Sequence, residues 1–219
     1  MKASLSQLTL AIAVSAALTG CGGGGGSGSS AAASSPAAVV PPATESGKSD
    51  KSVQSVAPDY QRITDANLRA CVESSGINWV DQLQILECPH SQVSSLAGLE
   101  QFTSLRVLNV RNNVIQSIEE LRSLTALNWL DVSYNRIQDA SPLQSLQQLS
   151  SLYASHNELR SLDALTLPEL NKLYVSHNQL HSFEFVNGMP ALKHLTAENN
   201  SSVAGFPSAM PAGIKTYSI

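Results

Sequence analysis

Leucine-type residues recur along the second half of the chain in a fixed order, with polar positions between them. The pattern L-x-x-L-x-(V/A)-x-x-N begins at Leu105, Leu127, Leu149, Leu170 and Leu192, with spacings of 22, 22, 21 and 22 residues. Alternation at L-x-(V/A) predicts a short strand whose apolar side chains point inward, and one such strand recurs in each period. A repeat of this length is typical of a solenoid, in which each turn contacts only its neighbours.

The same frame extends to both sides of these five copies. An earlier copy begins at Leu83 with Ser91 in place of the asparagine, and a last fragment begins at Ile214. We therefore predict six repeats starting at residues 83, 105, 127, 149, 170 and 192, with a terminal strand at 214–219. Parallel strands of successive turns are expected to stack about 4.8 Å apart. Later apolar positions, such as Ile118, Leu121 and Leu124, are predicted to line the opposite wall.

One asparagine per repeat falls directly after the predicted strand, where the chain has to bend. A buried Asn side chain at this place is expected to satisfy backbone groups of its own turn and of the next, which burial otherwise leaves unpaired. This predicted structural ladder consists of Asn113, Asn135, Asn157, Asn178 and Asn200.

The repeats resemble leucine-rich repeats of the 22-residue class that bacterial internalins and phosphatase-regulatory repeat proteins share, and the resemblance covers roughly residues 60–219. It implies an α/β repeat solenoid: a right-handed coil with a parallel β-sheet on the concave face and short 3-10 or irregular convex segments. The resemblance is specific for the fold and says little about function, because this fold serves many unrelated binding roles.

Residues 59–82 are expected to form a helical cap before the first repeat. Thr64 or Asp65 has the chemistry of a helix N-cap, Ile63 and Leu68 have the spacing of a hydrophobic staple, and Gly76 is suited to end the helix. The segment resembles the helical cap that precedes internalin repeats.

The chain begins with a predicted export signal at residues 1–20, in which Lys2 precedes an apolar run from Leu8 to Leu18. The run ends in Leu-Thr-Gly-Cys, which resembles the lipobox of bacterial lipoproteins and implies cleavage before Cys21 and acylation of that residue. The alternative is an ordinary secretory signal followed by an accidental cysteine. Gly22 in place of Asp favours, by the same resemblance, a lipid anchor in the outer membrane of a Gram-negative bacterium.

Residues 21–58 contain almost no large apolar side chain and are rich in Gly, Ser, Ala and Pro. Such a segment cannot bury enough surface to offset its ordering entropy, so we expect a disordered tether. If Cys21 carries lipid, Cys71 and Cys88 remain as a candidate disulfide between the cap and the first strand. The alternative for these two is a pair of buried free thiols.

Composition and spacing argue against several classes of function. The 219 residues carry a net charge of −4 with both signs interspersed, which argues against nucleic-acid binding. His177 and His181 have the spacing of a helical metal pair, but the repeat frame places them outside any helix. No spacing typical of a nucleophile, a carboxylate pair or a phosphate loop survives in the frame, so we predict no enzymatic activity, no cofactor and no metal.

The candidate binding residues lie on the concave face, at the outward third, fifth and seventh positions of each repeat. Trp129, Tyr153 and Tyr174 fall on consecutive turns there, with Asp131 and Lys172 beside them. Clustered exposed Trp and Tyr are typical of binding hot spots, although aromatic residues on a sheet also stabilise it by packing across strands. We therefore predict a lipid-anchored module that binds a protein partner. The alternatives are an envelope protein that self-associates through its open sheet edge and a glycan-binding surface protein.

Overall fold

The structure is a computed structural model that describes residues 56–201 and 213–218. The predicted signal segment, Cys21 and all but the end of the predicted tether lie outside the described residues. The described residues contain no helix long and apolar enough to cross a membrane.

The repeat frame produces one three-residue strand per turn. Within the described residues these seven strands form one parallel sheet in chain order. They are β1 Ile85–Glu87, β2 Val107–Asn109, β3 Trp129–Asp131, β4 Ser151–Tyr153, β5 Lys172–Tyr174, β6 His194–Thr196 and β7 Thr216–Ser218. Each strand pairs with the next at equal repeat positions, so that Leu86 aligns with Leu108 and Leu108 with Leu130. The prediction of a solenoid with a parallel sheet is confirmed.

The leucine at the centre of each of the strands β1 to β6 is buried in the core, and the segments after the strands close the opposite side. Ile118, Leu121 and Leu124 are at most 2 % exposed there, as predicted. Short 3-10 helices run along this side at Leu99–Gln101, Glu119–Ser123, Ser141–Ser145 and Glu184–Gly188. In the 21-residue turn that begins at Leu149, the described chain makes only turns at the corresponding place.

Gly188 lies where this shortened turn meets the next one. The Leu167 N–H donates to the Gly188 carbonyl at 3.0 Å. A Cβ at Gly188 would lie 2.2 Å from the Leu165 carbonyl oxygen, closer than any side chain can approach. Glycine therefore allows the two backbones to pack at the site of the missing residue.

The asparagine ladder links each turn to the one before it. Asn157 donates to the carbonyls of Ala154 in its own turn and Val132 in the preceding turn, and accepts from the Ile137 N–H of the preceding turn. Val132 O also accepts from Asn135, so each such carbonyl is shared by two asparagines. The sequence predicted bonds to the next turn, whereas the bonds run to the preceding turn.

The cap forms one α-helix, α1, at Ala66–Ser74, which packs against β1. Asp65, rather than Thr64, is its N-cap and accepts from the Asn67 and Leu68 N–H groups, both at 3.0 Å. The same carboxylate accepts from the N–H and the hydroxyl of Ser94 in the first repeat. Burial acts to raise the pKa of Asp65, but these hydrogen bonds outweigh it and lower the pKa below its usual 3.8.

A disulfide also links the cap to the repeats. It joins Cys71 of α1 to Cys88, which directly follows β1, with a Cα–Cα distance of 6.1 Å. The alternative of two free thiols is thereby excluded in this structure. Since Ser91 takes the ladder position of the first turn, the disulfide secures the end of the array that has no asparagine of its own.

Candidate binding surface

The predicted aromatic residues meet on the concave face and form one strip, which we call the concave strip: Trp129, Tyr153 and Tyr174. Tyr153 and Tyr174 end adjacent strands in direct register, and their rings stack at a centroid distance of 4.7 Å and an angle of 4°. Trp129 begins β3 and reaches Tyr153 diagonally, with ring centroids 5.3 Å apart and planes tilted by 44°. All three side chains are half-buried, so the strip is packed from within and open at its outer edge.

The two charged residues predicted beside the strip differ in exposure. Lys172 begins β5 and is exposed. Asp131 is only 7 % exposed, because its Oδ1 turns back to accept from the Ser133 N–H at 2.8 Å. Its Oδ2 lies 3.9 Å from Arg111 Nη1. Asp131 is therefore mostly covered, and an exposed charge beside it belongs to Arg111.

A second ring column lies just beyond the strand ends, at the repeat position before each ladder asparagine. We call it the edge column. Tyr134 stacks on His156 and His156 on His177, each pair with centroids 4.1 Å apart and planes within 15°. The Arg111 guanidinium lies 4.5 Å from the Tyr134 ring centre at one end. Asn199 Nδ2 lies 3.3 Å from His177 Nε2 at the other.

The backbone explains why these rings stack. The edge column consists of His90, Asn112, Tyr134, His156, His177 and Asn199. All six residues have a left-handed backbone with φ between 55° and 58°, so that successive side chains leave the turns in the same direction. The repeat frame aligns these positions, but periodicity carries no information on a positive φ. The two asparagines, which tolerate this conformation best, were the available signal.

Stacking also affects the charge state of the middle ring. Burial, and then the positive charges of His177 and Arg111, lower the pKa of His156 below its usual 6.5. The neutral imidazole is therefore favoured near neutral pH.

The described part of the chain contains no group of three or more His, Cys, Asp or Glu side chains able to hold a metal. His181 is exposed and lies outside the edge column. His156 and His177 lie close together but face to face, whereas imidazole lone pairs lie in the ring plane, so this stacking does not suit a shared metal ion. Ser133 and Ser176 are buried, and Ser176 Oγ accepts from the Glu198 N–H, which indicates structural roles for both.

No protein-family model matches the chain, and no curated protein matches it. Solved structures do. An internalin, InlF, from Listeria monocytogenes is 22 % identical with a TM-score of 0.51, over 74 % of this chain and 64 % of that one. The functional domain of InlJ from the same organism, described as including a cysteine ladder, is 21 % identical with a TM-score of 0.63, over 70 % of this chain and 35 % of that one.

The described residues form a leucine-rich-repeat domain. The shared parallel sheet, one strand per turn and short convex segments support this statement. At these identities the likeness concerns the fold alone. The chain spans less than two thirds of the length of either internalin, so their activities and partners do not carry over to it.

Proposed function

We propose that the leucine-rich-repeat domain is a non-enzymatic module that binds a protein partner through its concave face. The observation that carries the proposal is the concave strip, in which Trp129, Tyr153 and Tyr174 form one continuous aromatic surface across three turns. Central, partly buried Trp and Tyr residues provide most of the binding energy in many interfaces, because they bury a large area at small entropic cost.

The surroundings of the strip support a protein partner. Lys172 offers an exposed charge beside the rings, and the buried Asp131 holds Arg111 near the same edge. Polar groups of this kind around an aromatic centre are typical of the rim of an interface.

The ring geometry favours a protein over a glycan. Sugars bind aromatic side chains mainly by lying on a free ring face. Tyr153 and Tyr174 use their inner faces on each other, at 4.7 Å and nearly parallel. Their hydroxyls and ring edges suit backbone and side-chain hydrogen bonding by a protein.

The strip is tested with the full chain as bait on cell-envelope proteins of its own organism. The variant Trp129→Val/Tyr153→Thr/Tyr174→Thr uses residues that the chain itself has at these positions, Val107 and Thr196, so that the strands keep suitable side chains. Trp79→Ala is the matched control, because it removes a ring that is 42 % exposed away from the strip.

We expect a partner that the wild type and Trp79→Ala retain and that the triple variant binds at least about 30-fold more weakly, as for the loss of one hot-spot residue. Equal binding by the triple variant contradicts the proposal. A mass that grows with protein concentration, and that the triple variant leaves unchanged, favours self-association through the sheet edge instead.

We further propose that lipid on Cys21 holds the module at a membrane of the cell envelope, namely the outer membrane of a Gram-negative bacterium. The sequence of the leader supports this, since Cys21 follows a short apolar run and three small or apolar residues. Metabolic labelling with a tagged fatty acid is expected to mark the wild type and not Cys21→Ala. Labelling of both contradicts acylation at this residue.

A further inference from the structure

The edge column gathers basic chemistry in an otherwise acidic chain. Three of the five histidines of the chain lie in it, and Arg111 stacks on its Tyr134. The carboxylates near it are already engaged: Asp131 faces Arg111 at 3.9 Å, Glu158 accepts from Gln138 at 2.9 Å, and Glu198 accepts from Ser218. Asp131 offsets part of the Arg111 charge, but none of these three carboxylates accepts a hydrogen bond from Tyr134, His156 or His177, so the donors of these three side chains are not used by them.

The rings of the edge column belong to residues whose backbone conformation is energetically unfavourable. A positive φ costs a residue with a Cβ roughly 1 to 2 kcal/mol, and Asn tolerates it better than Tyr or His. Asn112 and Asn199 occupy this position in two turns, while Tyr134, His156 and His177 occupy it in the central three. Stacking recovers part of the cost. Among these rings Tyr134 is the least usual at this φ, because His, like Asn, is found there more often than most other residues.

The stack determines which atoms a partner can reach. His156 lies between Tyr134 and His177, so both of its faces are covered and its ring edge is the part left to solvent. Tyr134 is 40 % exposed and His177 is also exposed. The reachable groups are therefore a hydroxyl and imidazole nitrogens, repeated once per turn, with a guanidinium at the end of the row.

We propose that the edge column, with Arg111, Tyr134, His156 and His177, is a docking surface for an acidic segment of a protein partner. The argument for this occupant is charge complementarity: carboxylates accept from guanidinium, hydroxyl and imidazole N–H groups spaced along one line. The proposal names the chemistry of one part of the partner and so rests on the proposed function, but it concerns a different set of side chains from the concave strip.

Binding through these groups depends on pH in one direction. The charges that act on His156 are those of His177 and Arg111, and both disfavour its protonation in the free protein. His90, at the far end of the column, contacts Asn112. A carboxylate from the partner favours the protonated imidazoles, so the complex takes up protons and its affinity rises as pH falls from 7.5 to 5.5.

The probe is a fluorescein-labelled peptide of ten glutamates, with a ten-glutamine peptide as the neutral control, titrated with the full chain at constant ionic strength. The test variant is His156→Asn/His177→Asn, because Asn accepts the left-handed backbone of this column. The matched control is His181→Asn, which makes the same substitution at an exposed histidine outside the column.

We expect the wild type and His181→Asn to bind the glutamate peptide about three- to tenfold more tightly at pH 5.5 than at 7.5, and the double variant to lose this gain. NMR titration of the imidazole resonances provides a second measurement that works for weak binding, with the peptide raising the pKa of His156. No preference for glutamate over glutamine, or an unchanged gain in the double variant, overturns the proposal.

The two proposals fail separately. If the peptide test fails while the triple variant of the concave strip still loses its envelope partner, only the acidic docking surface is rejected. If the triple variant keeps its partner while the peptide test succeeds, the concave strip is rejected and the edge column remains as a binding surface.

Discussion

Two neighbouring positions of the repeat have opposite requirements. The ladder asparagine, such as Asn157, is 8 % exposed and makes the same three backbone contacts in turn after turn. The residue before it, such as His156, keeps the same left-handed backbone in each turn but is Asn, Tyr or His. The ladder position requires an asparagine side chain, whereas the position before it requires only a left-handed backbone. A solenoid can therefore vary its surface chemistry freely at the second position while the fold depends on the first.

The largest effect is expected from breaking the ladder. In Asn157→Ala the Ile137 N–H is left buried without its acceptor, while Val132 O and Ala154 O each keep a bond from another asparagine. One orphaned donor, two lost bonds and a small cavity together predict a loss of about 3 to 4 kcal/mol in the free energy of unfolding. Urea unfolding followed by circular dichroism measures it.

The control is Asn199→Ala, the same substitution in the edge column, where the amide is exposed. Its cost is expected to be about 1 kcal/mol, that of placing Ala at a positive φ. Similar losses for the two variants would show that the asparagines of both columns act through backbone conformation, and would remove the distinction between them.

The first turn of the array, which lacks a ladder asparagine, tests whether the disulfide stabilises that end locally. The first turn has Ser91 at the ladder position, and the disulfide between Cys71 and Cys88 closes a separation of 17 residues there. Removing it in Cys71→Ala/Cys88→Ala is expected to cost about 3 kcal/mol by the chain-entropy relation. Hydrogen exchange should show the loss mainly in α1, β1 and the first turn. Uniform loss of protection through β6 would mean that the array unfolds as one unit.

The sequence predicted most of what depends on periodicity. The 22-residue frame determined the strands, the inward leucines and the asparagine column, because each is a side chain recurring at one position. It did not predict individual side-chain or backbone contacts. The carboxylate of Asp131, at an outward position, accepts from the Ser133 N–H, as the amide oxygen of Asn109 does from the Arg111 N–H one turn earlier. Gly188 was not singled out either, because its role depends on a backbone contact created by the one shorter turn.

The sequence also did not predict the ring stacking in the concave strip or in the edge column. The frame placed Tyr153 and Tyr174 in register, but only their rotamers bring the rings parallel. In the edge column the same frame aligned His156 and His177, and the positive φ of both residues then made the stack possible. Alignment in a repeat predicts proximity, whereas the chemistry of a site depends on side-chain direction.

The smallest effect is expected in the edge column itself, from His156→Asn. At pH 7.5 the loss of two stacking contacts is partly offset by a residue better suited to a positive φ, so the free energy of unfolding should change by less than about 1 kcal/mol.

The difference in stability between His156→Asn and the wild type should also depend on pH. Because the pKa of His156 is lowered in the folded state, the unfolded chain binds the extra proton first. Wild-type stability should fall by about a few tenths of a kcal/mol as pH decreases from 6.5 towards the folded-state pKa, a small amount since solvent screens the ring. His156→Asn should show less of this decrease in that window and keep the later one near and below pH 3.8 to which Asp65 contributes. Urea midpoints measured at half-unit steps from pH 7.5 to 3.0 give the comparison. Parallel curves for the two proteins would mean that the stack does not affect the protonation of His156, and the edge column would then lose its proposed sensitivity to pH.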